Sequence, residues 1–195
     1  MTFGCVVEGI TEYHCLPNLL RRRGHNVIGI LHMKGGNGEI AWSELIKTRV
    51  FPRVRGMALK GPDRVLVVLD RERRVDCSPE LAAVAVELLN QALATENIVC
   101  NLRIVVCDRK FENAIFADVQ LVDKLHIVRQ DQNFSTLVPA TVDGINVVAK
   151  LKDCLVKGKC YDKVEHALAL VRKLDYGNPA VLQRSRCLRK LISEM

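Results

Sequence analysis

Four short runs of apolar residues occur in the first half of the chain. They are rich in Val and Ile, and they lie at about residues 3–8, 26–32, 64–70 and 102–107. Runs of this length and composition are typical of strands that are buried on both faces of a sheet. The sequence therefore predicts four buried strands.

Helical patterns lie between these runs. The first covers residues 11–23, with Thr11 as the predicted N-cap, and the second covers about residues 39–54. The third has the clearest start, because Ser78 can cap a helix and Pro79 suits its first position. Strands that alternate with helices predict a mostly parallel sheet with helices on both faces.

The pattern changes after the fourth strand. Residues 127–144 have no clear period, and most of the remaining chain has a helical one. The predicted helices lie at about residues 110–117, 118–126, 144–155, 161–174 and 179–192. We predict an α/β core over residues 1–126. An irregular segment and C-terminal helices over residues 127–195 should pack on that core within one structural domain.

The composition restricts the class of protein. The chain has 195 residues, and its 49% hydrophobic content is typical of a globular protein. Its apolar runs are far shorter than the roughly 20 residues of a membrane helix, and Glu8 interrupts the first run, so we predict no membrane segment and no signal peptide. None of the eight cysteines forms a CxxC pair, which favours a reduced, cytoplasmic protein.

The net charge of +7 favours a polyanionic partner such as nucleic acid. Clusters of basic residues occur at 21–23, 53–60, 71–74 and 184–190. A solvated basic surface without a partner is the alternative, and charge alone does not choose between the two.

Acidic residues follow two of the predicted strands. Glu8 and then Gly9 come after the first strand, and Asp70 and Glu72 come at the end of the third. The carboxyl ends of parallel strands meet at one edge of a sheet, where α/β proteins bind ligands. Carboxylate oxygens from two strand ends suit Mg²⁺ or Mn²⁺. The alternative is that these acids are solvated loop residues.

The segments around these two strand ends resemble the Toprim domain of topoisomerases, primases, RecR-type repair proteins and OLD-type nucleases. The resemblance rests on the string VVEGITEYHCLPNLL and on the strand that ends in LDRE. It implies that Glu8 is the acid–base glutamate and that Asp70 is the first metal-binding aspartate. Glu72 stands where the family pattern has a second aspartate, so this ligand arm is longer by one methylene.

Two later stretches are similar to motifs of small Toprim-like, OLD-nuclease-like proteins of unknown function. Residues 109–118 resemble their HEFEALLFSD motif. Residues 150–152 and 161–166 resemble their SKR…YDKV-H motif. Glu112, in the first of these stretches, is either an auxiliary catalytic acid or an acid that meets the positive end of a helix dipole.

The resemblance implies a Toprim- or Rossmann-like α/β fold and a metal-dependent site. The predicted catalytic residues are Glu8, Glu112 and Lys163, and the predicted ligands of Mg²⁺ or Mn²⁺ are Glu8, Asp70 and Glu72. The predicted phosphate contacts are Gly9, Lys34, Lys110, Lys150 and Lys152. Solvated helix faces are the alternative for the helical lysines, and a flexible turn is the alternative for the glycine-rich loop that begins at Lys34.

The leading functional hypothesis is Mg²⁺-dependent phosphodiester cleavage of DNA or RNA. By analogy with OLD-type nucleases, the partners would include a separately encoded ATPase, in defence against phage or in DNA repair. A homodimer is compatible with this hypothesis. The alternatives are a non-catalytic module that binds nucleic acid or a partner protein and, with less support, nucleotidyl transfer as in primases.

Overall fold

The computed structural model describes residues 1–33 and 39–195, so the predicted phosphate contact Lys34 lies outside the described residues. In the described chain, four strands form one parallel sheet. They are β1 (Thr2–Val7), β2 (Asn26–His32), β3 (Arg64–Asp70) and β4 (Leu102–Cys107). Each strand begins and ends within one residue of the predicted bounds.

The order of the strands in the sheet is β2-β1-β3-β4. The chain leaves β1 toward β2 and then returns to place β3 on the other side of β1, with Val7 opposite Val68. This reversal of direction opens a crevice at the carboxyl ends of the two central strands, which is where open α/β sheets bind ligands. Glu8 and Asp70 lie at these two ends.

Helices account for most of the remaining described chain. They are α1 (Ile10–Arg22), α2 (Trp42–Leu45), α3 (Phe51–Ala58), α4 (Ser78–Thr95), α5 (Phe111–Ile115), α6 (Val119–Asp123), α7 (Phe134–Leu137), α8 (Val147–Asp153), α9 (Glu165–Lys173), α10 (Pro179–Arg184) and α11 (Arg186–Ser193). A π-helical segment, Ile46–Val50, joins α2 to α3, so residues 42–58 are helical without a break. None of the described helices is long and apolar enough to cross a membrane.

Three local predictions are wrong. The N-cap of α1 is Gly9, not Thr11, and the N-cap of α4 is Cys77, not Ser78. The predicted single helix over residues 179–192 is two helices, because Ser185 adopts an extended conformation between them. The Ser185 hydroxyl accepts a hydrogen bond from the Leu188 N–H at 3.1 Å, which caps α11 and stabilises the break.

Helices pack on both faces of the sheet. One face carries α1, α5 and the C-terminal helices, on side chains such as Phe3 and Val68. The other carries α2, α3 and α4, on side chains such as Val6 and Val67. The predicted α/β, Rossmann-like class is therefore confirmed, with a parallel four-stranded sheet, flanking helices and a helical C-terminal part. The boundary near residue 126 stays a prediction.

We expect Phe116→Ala to lower the free energy of unfolding by about 3–5 kcal/mol, the usual cost of truncating a buried aromatic residue. Phe116 is fully buried, and its ring makes edge contacts with Phe134 and Tyr161, at centroid distances of 5.7 and 5.4 Å. Urea unfolding followed by far-UV circular dichroism measures the loss. Trp42 fluorescence should give the same transition although Trp42 packs on the opposite face, because one cooperative unit unfolds together. Two separated transitions would contradict this expectation.

Candidate functional site

A cavity of about 200 Å³ lies at the carboxyl ends of β1 and β3. Four buried acidic residues line it, and we call them the acid cluster. They are Glu8 after β1, Glu12 in α1, Asp70 at the end of β3 and Glu112 in α5, with exposed fractions of 7%, 1%, 8% and 3%. Buried carboxylates are rare in proteins unless they have partners, so the partners of these four decide what the cavity does.

Three hydrogen bonds connect the acid cluster to the chain around it. The Glu8 carboxylate accepts from the Asp70 backbone N–H at 3.0 Å, and Asp70 Oδ1 accepts from the Phe111 N–H at 2.8 Å. The Thr11 hydroxyl donates to Glu112 Oε1 at 3.0 Å. These bonds join the segments that follow β1, β3 and β4, so they fix the positions of the carboxylates relative to one another.

Glu12 differs from the other three because its Oε1 atom is buried without a hydrogen-bond partner. Burial and the negative charge of Glu112 raise the pKa of Glu12 to about 8. Glu8 adds to this rise, and the backbone amides of Glu12 and Gly9 oppose it. Glu12 lines the cavity, and an unpaired, buried carboxylate oxygen in such a residue favours a proton donor or a cation.

Glu12 is not among the site residues predicted from the sequence. An acid in the first turn of a helix is common, because it makes a favourable contact with the helix dipole, so its position along the chain does not mark it as a site residue. The signal that identifies it is the helical period, because Glu12 shares a face with the buried residues Cys15, Leu16 and Leu19. An acid on the apolar face of a helix is buried when the helix packs. Burial of a carboxylate costs free energy, so such an acid is a candidate for binding a partner or a ligand.

Burial and the neighbouring carboxylates affect Asp70 as they affect Glu12. Burial raises its pKa well above the usual range, and the charges of Glu12, Glu8 and Glu112 add to the effect. Lys110 lowers the pKa in part, because its ammonium group attracts the carboxylate. Full ionisation of the acid cluster would place more negative charge here than the nearby protein groups balance, so Glu12 and Asp70 tend to keep their protons.

Gly9 lies next to the acid cluster for a steric reason. Its φ of −107° is open to any residue, so backbone conformation does not require glycine here. A Cβ atom at this position would collide with the carboxylate of Glu12. Glycine at position 9 thus leaves the space that the Glu12 carboxylate occupies.

Glu72 lies at the rim of the acid cluster and not inside it. It is half-buried, and it lines both the acid cavity and an adjoining groove of about 700 Å³. Its φ of 53° is in the left-handed region, as is the φ of 83° at Arg109. The Glu72 N–H donates to the Arg109 carbonyl oxygen at 2.8 Å, which links two residues in a conformation that L-residues rarely adopt. A metal-binding role for Glu72 stays a prediction.

The predicted phosphate contacts are placed differently from one another. Gly9 and Lys110 line the acid cavity, and so does Lys163, which is predicted to be catalytic. Lys152 lies farther away, in a hollow that it shares with Lys163. Lys150 is exposed on α8 and is absent from the lining of the acid cavity. Lys110 and Lys163 thus lie beside the acid cluster, whereas Lys150 and Lys152 do not line it.

Over residues 1–33 and 39–195, no three His, Cys, Asp or Glu side chains form a ready-made metal site. The donor set nevertheless fits a hard divalent cation, because it consists of carboxylates and includes the unpartnered Oε1 of Glu12. A cation would also offset the mutual repulsion that raises the pKa values of Glu12 and Asp70. The residues present therefore fit Mg²⁺ or Mn²⁺ in their chemistry, and binding requires their side chains to rearrange.

No protein-family model matches the chain, and comparisons with curated proteins and with solved structures give no match either. The resemblance to Toprim domains consequently rests on the motifs in the sequence. The roles that it implies for Glu8, Asp70 and Glu112 stay predictions, to be judged on the geometry of the acid cluster.

Gly9→Ala should lower the free energy of unfolding by about 1–3 kcal/mol, because the new methyl group overpacks against the buried Glu12 carboxylate. Gly56→Ala is the matched control. A Cβ at Gly56 has no neighbour within 4 Å, and the residue lies in α3, so the change should stabilise the protein by about 0.5–1 kcal/mol. Urea denaturation measures both variants. A Gly9→Ala protein as stable as the wild type would show that Glu12 moves freely.

The stability of the protein should fall between about pH 5 and 8, in part because of Glu12. The folded state keeps the Glu12 proton up to a pKa of about 8, whereas the unfolded state loses it near the usual value of 4.5. The unfolded state thus binds fewer protons in this range, so the free energy of unfolding decreases as the pH rises. Glu12→Gln cannot ionise and should show a shallower decrease.

Thermal unfolding in EDTA at several pH values between 5 and 8.5 tests this expectation. Glu87→Gln, on the exposed side of α4, removes the same charge outside the acid cluster and should keep the slope of the wild type. If the Glu12→Gln and wild-type proteins gave parallel curves, Glu12 would ionise normally in the folded state.

Proposed function

We propose that this protein cleaves phosphodiester bonds in nucleic acid with the help of Mg²⁺ or Mn²⁺ held at the acid cluster. The observation that carries the proposal is the buried, unpartnered Oε1 of Glu12 among three further carboxylates. Lys110 and Lys163 beside the same cavity add support, because a site that combines acids with lysines suits a cation together with a phosphate. The sequence motifs of the Toprim type agree with this function.

The roles of individual residues follow from their positions. Glu8, Glu12 and Asp70 would hold the cation, and Glu72 at the rim would complete its ligands. A divalent cation supplies charge neutralisation for the phosphate and lowers the pKa of a bound water. Glu112, oriented by the Thr11 hydroxyl, would accept a proton from the attacking water.

The basic side chains would bind the substrate. Lys110 and Lys163 line the acid cavity, and Arg73 and Arg109 line the adjoining groove. Their charges would hold the phosphate and its neighbours along the chain, as phosphate contacts do in other nucleic-acid-binding proteins. A partner ATPase, a homodimer and a role in defence or repair stay predictions.

A second candidate function is a nucleic-acid-binding module without catalysis. The hydrogen bonds of the acid cluster favour it, because Glu8, Asp70 and Glu112 already connect three chain segments without a cation. In this case the acids would stabilise the crevice, and only the basic residues would contact the partner. Dependence on metal distinguishes the two functions.

Incubation of the purified protein with labelled DNA and RNA should give cleavage in Mg²⁺ or Mn²⁺ and none in EDTA. Glu8→Gln and Asp70→Asn should lower the rate by at least about 100-fold, because each removes a charged oxygen from the acid cluster. Asp131→Asn, a change in an exposed acid, is the matched control and should cleave at the wild-type rate.

Metal-dependent cleavage that survives both substitutions would overturn the assignment of the site. Binding of nucleic acid without cleavage under every condition would favour the non-catalytic module.

A further inference from the structure

Two hollows continue from the acid cavity along the surface of the protein. The acid cavity and the adjoining groove of about 700 Å³ share Glu72, Lys110, Glu112 and Lys163. That groove in turn shares Lys163 and Val148 with a third hollow of about 580 Å³. Since each hollow borders the next, they form one path that leads away from the acid cluster.

We call the third hollow the lysine groove, because four of the side chains that line it are lysines. These are Lys152, Lys157, Lys159 and Lys163, and its lining includes no acidic residue. All four are exposed, and none of them makes an ion pair with a carboxylate of the described chain. Four positive charges in one hollow without a counter-charge favour a polyanion.

Asp162, an acid close to the lysine groove along the chain, is engaged elsewhere. Its carboxylate accepts hydrogen bonds from the backbone N–H groups of Val164 and Glu165, at 2.8 and 2.6 Å. These bonds lower the pKa of Asp162 and direct its carboxylate toward the start of α9. Asp162 forms no ion pair with the lysines of this groove in the described chain, so their ammonium groups are available to a ligand.

Apolar side chains lie between these lysines. Leu155, Val156 and Tyr161 line the same hollow, and Val156 is 37% exposed. A duplex presents sugars and phosphates on its outer surface and keeps its bases stacked inside. A single strand exposes its bases as well, and bases gain from contact with apolar and aromatic side chains. The combination of lysines with apolar side chains thus favours a single strand.

The size of the acid cavity leads to the same conclusion. At about 200 Å³ the cavity is small, and its carboxylates are at most 8% exposed. The phosphates of a rigid duplex lie on a convex surface and cannot reach groups that are buried in a narrow cavity. A flexible strand can bend one phosphate inward while its neighbours stay on the surface.

We propose that the substrate of this site is single-stranded nucleic acid, held along the lysine groove with the reacting phosphate at the acid cluster. This inference rests on the proposed function. It adds Lys157 and Lys159 to the residues that contact the substrate, and it assigns Lys163 to the junction between the bound strand and the acid cluster.

Binding measured in EDTA tests the proposal without cleavage. The probe is a fluorescein-labelled DNA oligonucleotide of mixed sequence, as a single strand and as a duplex with its complement, followed by fluorescence anisotropy. The test variant is Lys152→Gln/Lys157→Gln/Lys159→Gln. The control is Lys47→Gln/Arg49→Gln/Lys124→Gln, which removes three exposed charges that line none of the three hollows. Thermal unfolding verifies that both triple variants fold.

The wild-type protein should bind the single strand more tightly than the duplex. The test variant should bind the single strand at least about tenfold more weakly, and its slope of log K against log salt should be smaller by about 2, near the 0.7 expected for each lost contact. The control variant should stay within about twofold of the wild type. Equal or tighter binding of the duplex, or an equal loss in both triple variants, would overturn the proposal.

Failure of this inference and failure of the proposed function are distinguishable. If the protein binds the single strand through the lysine groove but never cleaves it with any metal, the proposed cleavage fails and the groove assignment holds. If it cleaves nucleic acid through Glu8 and Asp70 but prefers duplex, the assignment of the substrate fails alone.

Discussion

The parallel pairing of β1 with β3 is the constraint on which the site depends. It brings the carboxyl ends of two central strands to one edge of the sheet and so places Glu8 beside Asp70. The first turn of α1 and the start of α5 meet the same edge, which adds Glu12 and Glu112. The site is therefore assembled from separate parts of the chain. One acid comes from the end of β1, one from α1, one from β3 and one from α5.

This arrangement opposes folding. Four carboxylates around a small cavity repel one another, and their burial removes them from water, so they stabilise the fold less than apolar side chains of similar size would. The two cores on either face of the sheet must compensate for this cost. Proteins tolerate such local conflict mainly at functional positions, which is a further reason to regard the acid cluster as a binding site.

The sequence was sufficient to predict the sheet because all four strands appear as apolar runs. Three of them are mostly buried, whereas the edge strand β2 has no fully buried residue. It was less informative where two patterns overlap. The helical period continues through Ser185, so the break between α10 and α11 is invisible until the extended backbone is seen. Lys150 and Lys152 share a motif, but residues two apart point to different sides of a helix, so only one of them lines the lysine groove. Glu12 is absent from the predicted site because acids are common in the first turn of a helix, and only its place on the buried face distinguishes it.

The steric relation between Gly9 and Glu12 also has an entropic consequence. A glutamate side chain in solution samples many rotamers, and its confinement costs about 1.5–2 kcal/mol. In this protein Glu12 is confined by the fold itself, since its carboxylate occupies the space beside a residue that lacks a Cβ. That loss of freedom occurs during folding and not during binding. A ligand that engages Glu12 therefore meets a side chain with little rotamer freedom left to lose, which offsets part of the cost of rearranging the other acids.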